Sequence, residues 1–196
     1  MSSPAEKDWS KPPDWSKFPR PVDDGATRHL PGARMARVPL AATDGSTVDL
    51  SEMRGLVVVY AYPMTGVPGV ATPPGWDMIP GARGCTPQSC SFRDHFADLK
   101  ALGVAGLFGL STQSPEYQLE VATRLNLPFA LLSDETLKLT RAVNLPTFET
   151  AGMTLLKRHT LVISNGRIEH VFYPVFPPDR SASDVVSWLS ETAAAR

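Results

Sequence analysis

Leu56-Val57-Val58-Val59-Tyr60-Ala61-Tyr62 is a continuous apolar run, rich in β-branched and aromatic residues and without a single charge. A strand of this composition is covered on both faces, which puts it at the centre of a sheet flanked by helices. Reading outward, two more apolar runs follow at strand length, Val104 to Leu110 and Pro128 to Leu132. Between and after them the period changes to that of helices. One is expected from Thr86 to Leu102, ending at Gly103. A second opens at Ser114-Pro115, a cap followed by proline at the first helical position, and runs to Leu125. Ser133 is expected to cap a third, through Val143. Met153 to Ile163 pairs with Ile168 to Tyr173 across Ser164-Asn165-Gly166-Arg167, where Asn-Gly is a strong hairpin signal. Ser181 and Asp184 fit a capping box ahead of a last helix, Val185 to Ala195. Upstream, Val38-Pro39-Leu40 and Thr47 to Leu50 read as short strands around Asp44-Gly45. Alternating strands and helices give an α/β fold with parallel strands, and the hairpin makes the central sheet mixed.

Two stretches stand outside this alternation. Residues 1–34 are rich in proline and charge and carry a short repeat, Asp8-Trp9-Ser10-Lys11 and Asp14-Trp15-Ser16-Lys17. Without a 2.0 or 3.6 period they read as an extended, partly disordered arm, with Trp9 and Trp15 tacked onto a domain of residues 35–196, or as a docking arm for another subunit. Met64 to Gly84 holds five glycines and four prolines. It is expected to be a long functional loop pinned by Trp76 and Ile79. A formal charge of −1 gives no reason to expect a nucleic-acid or acidic-membrane partner. No run reaches the length of a membrane span, and the first residues lack the apolar core of a secretory signal, so a cytoplasmic protein is expected.

The chemistry concentrates in Gly84-Cys85-Thr86-Pro87-Gln88-Ser89-Cys90, which holds the only two cysteines. Cys85 falls at a helix N-terminus, where unpaired N–H groups and the helix dipole favour thiolate over thiol. Phe92, Phe96, Leu99 and Leu102 form one apolar stripe. At about 100° per residue Cys85 points with that stripe toward the body, and Cys90 lies about 160° around the helix, facing outward. Residues five apart in a helix have Cα atoms roughly 8 to 9 Å apart, beyond the roughly 7 Å a disulfide tolerates. The two thiols can join only if the first turn unwinds. Two inert core cysteines would account for Cys85 and not for Cys90. A metal site would want more ligands than His95, the one nearby histidine, and no metal or organic cofactor is expected. The four histidines (29, 95, 159 and 170) have no ligand spacing. Phe172-Tyr173-Pro174-Val175-Phe176-Pro177-Pro178 reads as a packed loop after the hairpin, with a subunit contact or a pocket for an organic substrate as its other reading.

The run from Gly84 to Asp94, ending in Leu99-Lys100-Ala101-Leu102-Gly103, resembles the active-site helix of the peroxiredoxins, above all the bacterioferritin-comigratory or Q-type branch with four residues between its cysteines. Similarity extends through Tyr62-Pro63, Phe108 to Ser111, Leu127 to Asp134 and Arg158 to Ile163, over about residues 36–195. The resemblance implies a thioredoxin-like fold, which the element order suits, and thiol-dependent reduction of hydroperoxides. Cys85 would be the peroxidatic cysteine and Cys90 the resolving one, and Arg158 falls where the family places an arginine beside the thiolate. The family's pattern carries a hydroxyl three residues before the cysteine, and Ala82 stands there. Thr65 and Thr86 are the candidate replacements, and with Gly84 they form the expected substrate-binding set. The implied partners are a hydroperoxide and a thioredoxin or glutaredoxin reductant, with the chain a monomer or homodimer. The rival readings are a thiol–disulfide oxidoreductase acting on proteins and a redox sensor or scaffold that has lost turnover.

Overall fold

The computed structural model describes residues 13–195. In chain order these form β1 (Pro39–Ala42), β2 (Thr47–Asp49), β3 (Leu56–Ala61), α1 (Cys85–Asp94), α2 (Phe96–Ala101), β4 (Val104–Ser111), α3 (Pro115–Arg124) and β5 (Leu131–Ser133). Then come α4 (Lys138–Val143), β6 (Thr147–Thr150), β7 (Met153–Leu156), β8 (His159–Ser164), β9 (Arg167–Phe172) and α5 (Ser181–Ala194). Seven strands make one sheet in the order β2-β1-β5-β4-β3-β8-β9. β3, β4 and β5 run parallel; the flanking pairings are antiparallel, so the sheet is mixed. The charge-free run that opened the reading is β3, an interior strand between β4 and β8; the middle of the seven is β4.

Both faces are covered because β3 alternates between two apolar clusters. Val58, Tyr60 and Tyr62 pack with Phe92 and Leu99 of the cysteine-bearing helix region, Val121 of α3, and Ala182, Val185 and Leu189 of α5. Val57, Val59 and Ala61 pack with Leu110, Leu132, Leu161 and Ile163, and with Leu139 of α4. Leu30, from the proline-rich stretch, is wholly buried in this second cluster. The core thus reaches into the segment read as an arm. Trp15 is indeed fixed to the body; Trp9 lies outside the described residues.

Several local expectations are corrected. The helix expected from Thr86 to Leu102 breaks at His95, because the Ser91 carbonyl accepts from both the His95 N–H and its ring Nδ1, at 3.1 and 2.9 Å. A side chain competing for a helical carbonyl bends the axis there. The strand expected from Met153 to Ile163 is two strands, split at Lys157-Arg158, and β7 pairs with a short β6 that the periodicity did not reveal. Leu137, not Ser133, is the N-cap residue of α4 and makes no side-chain cap bond; the Asp134 carboxylate, from further back, accepts from the Leu139 and Thr140 N–H groups and the Thr140 hydroxyl. There is no capping box at α5, whose N-cap, Arg180, makes no side-chain cap bond; Ser181 turns its hydroxyl inward instead. The Asn165-Gly166 hairpin and the Ser114 cap stand as read.

Candidate active site

Gly84 ends the long loop and starts α1 with φ of 107°, a left-handed conformation open to glycine. A Cβ there would lie 2.5 Å from Pro178 Cγ and 2.7 Å from Trp15 Cη2, so the position also lacks room for one. The loop is pinned through Trp76 and Ala82, buried with Leu155 and backed by Ile79, as expected. Its last residues therefore present their carbonyls at a fixed place beside the N-terminus of α1.

Cys85 opens α1 and is 4% exposed. Arg158 sits in the break between β7 and β8, 3% exposed, and its Nη2 lies 3.2 Å from Cys85 Sγ. The guanidinium is moored on every side. Nη2 also donates to the Ala82 and Arg83 carbonyls at 3.1 and 3.2 Å, Nε to the Gly81 carbonyl at 3.3 Å, and Nη1 to Gln88 Oε1. Among the described residues no carboxylate pairs with Arg158. The sulfur of Cys85 thus lies against a buried cation that is otherwise held by neutral dipoles, and Sγ also lies 3.7 Å from the Ala82 carbonyl.

Gln88 is the member that sequence reasoning missed. It is fully buried one turn after Cys85, and its Nε2 donates to Ser181 Oγ at 3.2 Å. Ser181 in turn bonds Thr160 Oγ1 at 3.2 Å, tying the arginine's mooring to α5 and β8. The signal was present: a polar residue on the inward face of a helix, between Cys85 and Phe92.

Cys90 is half-buried against the same apolar cluster as Cys85, and so less free toward solvent than the helical projection suggested. Burial pushes its thiol up, with the nearby Arg93 pulling the other way. Both cysteines are free thiols. Behind them Tyr60 stacks on Phe92 with centroids 4.4 Å apart and donates to Ser89 Oγ at 3.1 Å, which fixes the helix on the sheet.

The expected hydroxyls are placed differently. Thr65 is buried, and its hydroxyl and N–H both donate to Gln113 Oε1, at 3.1 and 3.0 Å. Its carbonyl accepts from Tyr117 at 3.0 Å. Thr86 is half-buried on the first turn beside Cys85. Among the described residues no hydrogen bond joins either threonine to Cys85 or Arg158. The structure therefore brings together Cys85, Arg158 and the Gly84 backbone, with Cys90 on the same helix. No cluster of three metal-ligating side chains occurs among the described residues. The loop after β9 borders a cavity of about 300 Å³ lined by Phe172, Tyr173, Phe176, Ser181 and Asp184.

Residues 21–189 match the Redoxin family model. Peroxiredoxin Q, chloroplastic, of Sedum lineare is 34% identical over 148 residues, covering 74% of this chain and 70% of that protein. Peroxiredoxin Bcp of Escherichia coli (strain K12) is 33% identical over 155 residues, covering 76% of this chain and 88% of that protein. The chain spans 60% of the length of the Gentiana triflora peroxiredoxin Q it also matches. Among solved structures, peroxidoxin BcpB from Mycobacterium tuberculosis shares the fold with a TM-score of 0.66 at 23% identity, over 83% of this chain and 97% of that one. A central mixed sheet of thioredoxin-like form, a cysteine at the start of its covering helix and a relative matched over most of its length agree: the chain belongs to the Redoxin family, among peroxiredoxins of the Q and bacterioferritin-comigratory type.

Proposed function

We propose that the chain is a thiol-dependent peroxidase for hydrogen peroxide or organic hydroperoxides, with Cys85 as nucleophile and Cys90 as resolving thiol. The observation that carries this is the Cys85 Sγ at 3.2 Å from the buried Arg158 guanidinium, at the N-terminus of α1. The relatives named peroxiredoxin support it.

In the first step the Cys85 thiolate attacks one peroxide oxygen. The O–O bond breaks, Cys85 becomes a sulfenic acid, and the other oxygen leaves with a proton as water or an alcohol. Arg158 and the free N–H groups of the first turn of α1 face the charge that develops on the departing oxygen. The Thr65 hydroxyl can join only by leaving Gln113, and Thr86 is the nearer of the two by position. In the second step the first turn unwinds, which also frees Cys90 from the burial that holds its proton. Its sulfur displaces the sulfenic oxygen as water and forms the Cys85–Cys90 disulfide. A dithiol protein of the thioredoxin or glutaredoxin type, in a reducing compartment such as the cytoplasm, takes the oxidising equivalents and restores both thiols. These steps call on no metal or organic cofactor.

Mass spectrometry of the protein before and after one equivalent of hydrogen peroxide tests the cycle. The expected result is a loss of two hydrogens in the native chain, none in Cys85→Ser, and a gain of one or more oxygens in Cys90→Ser. A native chain that consumes peroxide without acquiring the internal crosslink would remove Cys90 from the resolving role.

A further inference from the structure

The stretch Asp14 to Asp24 meets the site at five points that the peroxidase cycle leaves unused. Trp15 lies over Gly84, its Cη2 2.7 Å from where a Cβ would stand, and its Nε1 donates to Asp179 Oδ2 at 2.9 Å. The Arg83 guanidinium lies over the Phe18 ring at 6.0 Å, and that of Arg20 over Phe176 at 5.4 Å. Pro21 is 3.5 Å from a Cβ built at Gly81. Asp24 accepts from Lys157 Nζ at 2.5 Å and from the Tyr173 hydroxyl at 2.8 Å. Gly81 and Arg83 lend Arg158 their carbonyls, Gly84 precedes Cys85, and Lys157 precedes Arg158. The contacts thus frame Cys85 and the Arg158 that faces it.

We propose that Asp14 to Asp24 is a strap that latches the first turn of α1, and that the Cys85–Cys90 disulfide releases it. The trigger rests on the peroxidase reading above, a two-electron oxidation in which the hydroperoxide leaves as water or alcohol plus water. Thiols five residues apart on an intact helix are too far apart to bond. The Gly84 carbonyl must therefore give up the Gln88 N–H, now 3.0 Å away, and Gly84-Cys85 must move. Gly84 is wedged between Trp15 and Pro178, so its movement takes away the surface on which the indole rests. Coupling between two such equilibria is reciprocal: a strap that favours the wound turn is weakened by unwinding to the same degree. Asp179 adds to the balance, since its Oδ1 is buried with no partner among the described residues. Release hydrates that oxygen and relieves a standing cost of the latched state.

Hydrogen exchange on the reduced full chain, read at the Gln88 amide, compares the native protein with Trp15→Ala and Trp15→Phe. Exchange about fivefold faster or more is expected in Trp15→Ala. Trp15→Phe, which keeps a ring but loses the bond to Asp179, should fall between. Equal exchange in all three overturns the latch, whatever the thiols do. Release is read by trypsin at Lys17, an exposed residue of the strap, before and after peroxide. Faster cleavage is expected after oxidation in the native chain and not in Cys90→Ser. Equal cleavage in a sample whose disulfide is verified by mass overturns release. A chain that never forms the disulfide overturns the peroxidase reading and the release together, and the exchange comparison still decides the latch.

Discussion

Arg158 combines two tasks, because the Nη2 that donates to the Ala82 and Arg83 carbonyls also lies 3.2 Å from the Cys85 sulfur. Replacement by methionine removes the charge facing Cys85 and strands the carbonyls of Gly81, Ala82 and Arg83 together with Gln88 Oε1. Peroxide turnover in Arg158→Met is expected to fall by about a hundredfold, the size of losing one preorganised donor to a developing anion. Stability is expected to fall by about 1–3 kcal/mol. Stopped-flow peroxide reduction and urea unfolding check the two; full turnover would remove Arg158 from the site. Arg158→Lys restores charge without the planar fork, so it should recover only part of the rate. The neighbouring His159 has a different effect. It is fully buried, and burial pushes its imidazole down to about 4, against the Lys157 carbonyl that it contacts. The unfolded chain takes up this proton near pH 6.5 and the folded one only near pH 4. This group's contribution is therefore complete above about pH 6.5 and is lost as the pH falls toward about 4, by roughly 3 kcal/mol in all. Urea midpoints across that window should slope in the native chain and flatten in His159→Gln. An unchanged slope would show that another group titrates there.

At the scale of elements, the bends in the fold come from side chains that capture backbone groups. His95 does so inside the cysteine-bearing helix, and Asp134 at the start of α4. Asp134 is buried and accepts three hydrogen bonds from Leu139 and Thr140. Asp134→Ala should lower stability by about 2 kcal/mol, the upper range for losing a side chain that satisfies helical N–H groups, because the freed N–H groups have no water to turn to. Ser133→Ala should cost less, since its hydroxyl donates only to the Gln113 carbonyl. Urea titration of the pair checks the difference; equal losses would mean that the Asp134 bonds carry no more than the Ser133 one. The split between β7 and β8 follows the same logic. Arg158 is placed by leaving the ladder, where its side chain can reach carbonyls that a strand residue would pass by.

For the whole molecule, the sheet divides the core into a site face and a far face. Leu161 is fully buried on the far face, between β3 and β9 in the sheet. Leu161→Ala is expected to destabilise by about 2–5 kcal/mol. It should leave the peroxide rate per folded molecule unchanged, as its cavity lies across the sheet from α1. Tyr60→Phe lies on the site face and removes the hydroxyl that holds Ser89. It should alter the Cys85 alkylation rate with a smaller loss of stability. Thermal unfolding combined with thiol alkylation separates these effects. A rate change in Leu161→Ala that matches the change in Tyr60→Phe would mean that the two faces are not independent.

The sequence by itself determined the buried strand β3, the alternation around it, the hairpin and the place of both thiols on one helix. These are written in short windows, as period, caps and turn residues, where side chains act on their own backbone. It also marked Arg158, but only through resemblance. Tertiary structure decided the rest. Arg158 meets Cys85 across 73 residues of chain and Gln88 across 70, and Trp15 meets Asp179 across 164. No local period encodes such pairings, because each depends on how far loops travel and where the sheet brings their ends. The Thr65 hydroxyl went to Gln113 for the same reason: a buried donor takes the acceptor that the fold places nearest.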